Sequence, residues 1–214
     1  MSSELPALNP GRALDVGGAT LLVESLDAGA CPFGVRERAV LAALAHPVRR
    51  SEWIAGRRAA KRVLGERFGT TPDRVEVLPD ADGRPVVQVD GAPRPALRLS
   101  ISHSGAWAAA ACAEVALGVD VCLLSDGARL GRVAPRVFSP SEAEALGALQ
   151  SEERGAAAWA VKEACLKASG GGVFRPGARS IRLHSLLPPT LERTDLSATV
   201  WCLPGAVLAL ALAR

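Results

Sequence analysis

Between residues 51 and 68, Trp53, Ala60, Val63, Leu64 and Phe68 recur at helical intervals, while Arg57, Arg58, Lys61 and Arg62 crowd the opposite side. The pattern predicts an amphipathic helix with a cationic face. A shorter helix is predicted before it, over residues 35–45, where Val40, Leu41 and Leu44 keep helical spacing and Pro47 stops the run. Short β-rich runs follow at 75–78, 86–89 and 97–101, separated by the turn-formers DADGRP and DGAPRP, and predict an antiparallel meander. Residues 107–113 and 116–124 predict two more strands. In the second, Leu117, Val119, Val121 and Leu123 share one face and Asp120 and Cys122 the other.

Ser139, Pro140 and Glu142 supply an N-cap, a proline at the first helical position and an acid in capping-box register. They open a helical region that ends at Gly170, Gly171 and Gly172, and within it Trp159, Glu163 and Lys167 align one turn apart. Strand candidates at 180–183, 198–202 and 207–211 complete the chain, with the turn Pro204-Gly205 before the last. Helices followed by strands thus occur twice. Two similar halves are predicted, joined near residues 114–117, with Asp120 close to the seam, where clefts tend to form. Only the first dozen residues and 187–194 read as linker.

With 214 residues, 49% of them hydrophobic, the chain is long enough to bury a sizeable core without disulfides or structural metal. A net charge of +3 is too mild for non-specific duplex binding, and no aromatic platform accompanies the cationic helix, so nucleic acid is not an expected partner. Five cysteines without a CxxC pair suggest neither a disulfide framework nor a zinc site and fit a reduced cytoplasm. The opening MSSELPALNP does not read as a secretory signal. The apolar stretch 106–124 is interrupted by Glu114, Gly118 and Asp120, and reads as two buried strands with no membrane span.

Three places could carry chemistry. Asp120, between Val119 and Val121, needs a partner for its charge, either a metal or other cation or a salt bridge at an edge position. Glu163 in WAVKEACLK could form an ordinary helical pair with Lys167, yet Trp159 shares its face, which is amphiphilic where a solvated one would be polar throughout. ISHSG, at 101–105, is predicted to be a turn offering donors to an anionic oxygen, with His103 either at its centre or serving the structure. No G-x-S-x-G elbow is present, and a hydrolase triad is set aside.

Taken together, GRP at 83–85, ISHSG at 101–105, GVDV at 118–121 and WAVKEACLK at 159–167, preceded by AGRRAAK, resemble the surfactin-type (Sfp-type) 4'-phosphopantetheinyl transferases in order and spacing. The resemblance implies a pseudo-twofold α+β fold of two similar subdomains, each a small antiparallel sheet packed with helices. Residues 1–115 would carry the basic helix, meander and SHS turn, and residues 116–214 the metal-binding strand and the WxxKExxxK helix. It also implies transfer of 4'-phosphopantetheine from coenzyme A to a serine of an apo acyl or peptidyl carrier protein, with Mg²⁺ bridging the diphosphate to protein carboxylates. Asp120 and Glu163 match the metal ligands, Glu163 and Lys167 the catalytic pair, and Arg57, Arg58, Lys61, Arg84, Ser102 and His103 the groups that hold coenzyme A. A monomer is expected, since two halves in one chain supply their own interface.

Arg84 stands where many members carry lysine, and Cys122 where the usual GIDxE pattern has glutamate. A neutral thiol is a poor ligand for Mg²⁺, so water is expected to fill that position. Asp126 is not expected to replace it, because six strand residues would carry it roughly 20 Å from Asp120. Loss of the metal site through Cys122 defines the competing reading, a non-catalytic homologue that binds coenzyme A or the carrier.

Overall fold

The structure, a computed structural model, describes residues 4–147, 151–170 and 177–214, with the backbone alone at 127–131. Gly171 and Gly172, in the predicted helix stop, lie outside the described residues. The chain divides into a unit formed by Pro10–Glu114 and a second formed by Val115–Arg214 together with the first nine residues.

In the first unit, β1 (Leu14–Val16) and β2 (Ala19–Ser25) form a hairpin whose turn, Gly17-Gly18, has φ of 59° and 83°. Only glycine adopts such angles freely, which makes Gly-Gly suited to a two-residue hairpin turn. Next come α1 (Val35–Ala43) and α2 (Pro47–Phe68). Pro47 ends the first helix and opens the second, as its missing N–H and fixed φ dictate. β3 (Val75–Pro79), β4 (Pro85–Val89) and β5 (Ala92–Pro93) make a small antiparallel sheet, and β6 (Arg98–Ser104) and β7 (Trp107–Ala113) return to the main sheet, whose order is β1-β2-β7-β6. The predicted meander is therefore divided, because β6 finds its hydrogen-bond partner in β7.

The other unit begins with β8 (Leu117–Leu123) and continues through α3 (Gly127–Val137), α4 (Pro140–Leu146), α5 (Glu152–Ala168), the hairpin β9 (Leu183–Leu186) and β10 (Pro189–Leu191), β11 (Leu196–Leu203) and β12 (Ala206–Ala213). The single predicted helical region is two helices. Gly147, at φ 58°, closes α4, and Ser151 caps α5 by accepting from the Arg154 N–H. Neither predicted linker is bare: residues 187–194 hold β10, and at the start of the chain Leu8 N–H donates to Cys202 O while Cys202 N–H donates to Pro6 O.

Both units share one topology. The sheet order β2-β7-β6 in the first repeats as β8-β12-β11 in the second, antiparallel throughout. Each sheet packs on one long helix around its own core, Leu22, Val63, Leu64 and Ala110 in the first, Phe138, Val161, Val200 and Ala209 in the second. The strands and helices at these contacts carry mostly alanine, which brings helix and sheet close: a Cβ added at Gly56 of α2 would lie 2.9 Å from Ile101 Cγ2. Among the described residues no helix is long and apolar enough to cross a membrane.

Candidate active site

Asp120 projects from β8 toward α5, where Lys167 Nζ donates to its Oδ1 at 2.7 Å and to Val119 O at 2.8 Å. Glu163 lies one turn earlier on the same face of α5. Burial, then the Asp120 charge, push its carboxyl above the usual range, and Lys167 pulls the other way. Asp120, Glu163 and Lys167 are thus brought together, two acids sharing one ammonium. The trio carries a net negative charge and offers hard oxygen donors. That set fits Mg²⁺, which takes one or two carboxylates and completes its shell with water and substrate oxygens. Among the described residues no cluster of three or more His, Cys, Asp and Glu forms a fuller cage.

What sets this spacing is Gly118. A Cβ there would lie 2.0 Å from Ala164 O and 2.7 Å from Lys167 Cβ, so β8 and α5 touch backbone to backbone at the point where Lys167 reaches Asp120. Gly118→Ala is expected to force the helix off the strand at a cost of about 1–3 kcal/mol, the usual range for overpacking. Thermal unfolding checks it, and an unchanged Tm would show that the contact yields freely.

Cys122 is two residues from Asp120 on the same face and almost fully buried. Burial, followed by the charges of Asp120 and Asp126, pushes its thiol up to about 12. A thiol held neutral is a poor ligand for a hard cation. The influence of Asp126 corrects the expectation that strand extension carries it far away: β8 stops at Leu123, and a 3₁₀ turn, Leu124–Asp126, packs against α5. Counted from the β6–β7 and β11–β12 turns, Ala110 and Ala209 are counterparts, Leu22 is the counterpart of Asp120, and Glu24 that of Cys122. A glutamate is therefore already accommodated at this point of the frame. Cys122→Glu is expected to lower the Mg²⁺ concentration for half-maximal rate several-fold and Cys122→Ser to leave it unchanged, as a metal titration of the rate would read. A sharp rise with Cys122→Ser would make the thiol a ligand after all.

The residues expected to hold coenzyme A belong to the other unit, and they divide. Arg58 and Lys61 are buried and engaged: Arg58 Nε pairs with Glu24 at 2.5 Å and its terminal nitrogens donate to Ser25, Leu26 and Gly29 carbonyls, while Lys61 Nζ pairs with Glu37 at 2.6 Å and donates to Pro32 O at 2.7 Å. The cationic side of α2 is thus in part interior, where a buried charge must be matched. These two serve the fold. Arg57 is half-buried, its guanidinium 5.0 Å over the Trp53 ring and its Nε donating to Val77 O. Arg84 is exposed in the β3–β4 turn. ISHSG is strand where a turn was predicted, since β6 runs to Ser104 and Gly105 makes the turn. Alternation then buries Ser102 and exposes His103, whose Nδ1 lies 3.7 Å from Glu52 Oε1.

Sequence reasoning missed Glu37 and saw Glu142 only as a capping-box acid, not as a buried partner of Lys162, although a Phe-x-x-x-Glu spacing marks both. Residues 116–211, which hold Asp120, Glu163 and Lys167, match the family model of the 4'-phosphopantetheinyl transferase superfamily. The chain is also 30% identical over 161 residues to the 4'-phosphopantetheinyl transferase HetI of Nostoc sp. strain PCC 7120. The chain is thus similar to 4'-phosphopantetheinyl transferases, and most of its second unit matches the superfamily model. That alignment takes in 73% of this chain and 66% of HetI, so the chain spans just under two thirds of the relative's length. A solved holo-(acyl-carrier-protein) synthase from Bacillus anthracis strain Ames, in complex with CoA (3',5'-ADP), is 26% identical and aligns with 44% of this chain and 92% of its own at a TM-score of 0.38.

Proposed function

We propose that the chain transfers 4'-phosphopantetheine from coenzyme A to a serine of an apo acyl or peptidyl carrier protein and releases adenosine 3',5'-bisphosphate. The observation that carries the reading is the Asp120–Lys167 pair at 2.7 Å with Glu163 beside it, inside the region that matches the superfamily. In this reading Asp120 and Glu163 hold Mg²⁺, which when bound supplies positive charge at the diphosphate. The serine oxygen bonds to the β-phosphorus, the bond from that phosphorus to the bridging oxygen breaks, and the electron pair leaves with adenosine 3',5'-bisphosphate. Glu163 accepts the serine proton, directly or through a water. Lys167 neutralises charge on the diphosphate. Arg57, Arg84, Ser102 and His103 are the proposed phosphate contacts.

The deciding experiment incubates the protein with coenzyme A, Mg²⁺ and an apo carrier and reads the carrier's intact mass. A gain of one phosphopantetheine group is expected, lost in excess EDTA. Binding of coenzyme A with no gain in carrier mass would favour the non-catalytic reading instead. We place the protein in the reducing cytoplasm, a reading supported by five cysteines that are all free, and as a monomer, as expected of a chain that carries both halves itself.

A further inference from the structure

One buried arrangement occurs twice. In the first unit Lys61 Nζ meets Glu37 Oε2 at 2.6 Å and Pro32 O at 2.7 Å over the Phe33 ring, and Glu37 Oε1 accepts from the Val77 N–H of β3 at 2.9 Å. In the second, Lys162 Nζ meets Glu142 Oε1 at 2.7 Å and Val137 O at 2.9 Å over the Phe138 ring, and Glu142 Oε1 accepts from the Leu183 N–H of β9 at 2.9 Å. Each acid also caps its own helix, accepting from Gly34 N–H and Ser139 N–H. In both, one lysine–glutamate pair ties a long helix to the preceding helix and to a carbonyl ahead of that helix and, through the acid, to a following strand.

The residue after each lysine turns to the acid-bearing strand. In the first unit that residue is Arg62, which pairs with Glu24 on β2, and the charges close on one another. In the second it is Glu163, which meets the like charge of Asp120 on β8. The same frame that presents a cation to an anion in one unit presents an anion to an anion in the other. Two carboxylates left to themselves would separate.

We propose that Lys162 is a positioning residue, which ties α5 to α3, α4 and the 3₁₀ turn at Ala178 and so holds Glu163 against Asp120 for the ion they share. All three ammonium donors are engaged, on Glu142, Val137 O and Ala178 O, and the side chain is fully buried, so it touches no substrate. The inference rests on the transferase reading of Asp120 and Glu163.

The test is the double variant K162M/E142Q, which removes both charges and nearly keeps the volume. Folding is checked by thermal unfolding. The expected result is a folded protein whose kcat for transfer falls about 10-fold or more with KM for coenzyme A little changed, and whose Mn²⁺ affinity, titrated by electron paramagnetic resonance without substrate, falls by a similar factor, as for other residues that orient metal ligands. Wild-type kcat and Mn²⁺ affinity in the folded variant would overturn the proposal. Should the double variant not fold, E142Q, which keeps an acceptor for Lys162 and for Leu183 N–H, decides on the same two readouts. If the unmodified protein transfers nothing, the transferase reading fails by itself, and the Mn²⁺ titration alone decides the positioning role.

Discussion

Asp120→Ala is expected to lower kcat for phosphopantetheine transfer about 10²–10³-fold, the range found when one preorganised charge is removed from a reacting centre. The carboxylate acts at two points. It holds Lys167 at 2.7 Å, and with Glu163 it makes the negative site that a divalent cation would occupy. KM for the carrier should change little, because neither role touches the carrier surface. Asp120→Asn separates the two, since its amide oxygen still accepts from Lys167 while the charge is lost. Glu163→Ala should cost as much as Asp120→Ala, and the pair together little more than either, as expected of groups that act as a unit. Steady-state rates of holo-carrier formation measure all four. Asp120→Ala with a nearly unchanged kcat would move the reacting centre elsewhere in the protein.

Lys61→Met is expected to destabilise the protein by about 3–5 kcal/mol, the cost of leaving a buried partner uncompensated. Glu37 would keep its bonds to Gly34 N–H and Val77 N–H but lose the ammonium paired with it. Adding Glu37→Gln should recover most of the loss, since removing both charges is close to neutral where removing one is not. Urea unfolding gives both values. The reading of Lys61 as a phosphate ligand predicts the reverse, with stability unchanged and weaker coenzyme A binding.

That contrast marks where the sequence could be read and where it could not. α2 was legible because its apolar positions keep a period of 3.6, and β7 and β8 because apolar runs end at turn-formers. Asp120, Glu163 and Lys167 were legible because each is a charged residue in apolar company, a contradiction that a site resolves. Lys61 and Arg58 misled because periodicity says which residues share a face, and only the packing of α1 and β2 decides that this face is interior. The β1–β2 hairpin was missed although Gly17-Gly18 followed by an apolar run is a hairpin signal. Asp126 was misplaced because an extended strand was assumed to continue past Leu123, where a 3₁₀ turn ends it.

The pairing of Pro6 and Leu8 with Cys202 bears on how the protein is made. These residues are synthesised before the Pro10–Glu114 unit, yet β11, the strand that receives them, is synthesised after it. Domains tend to fold as they emerge. The Pro10–Glu114 unit, whose core draws on no later residue, can close while the rest is still being translated, and the leading segment stays loose until β11 is complete. During synthesis it is a free peptide next to a folded unit, the stretch on which a cotranslational protease or a chaperone has longest access. Capture by β11 therefore reports that β11 has been made, and protection of this segment from proteolysis is a timer for the closing of the second unit.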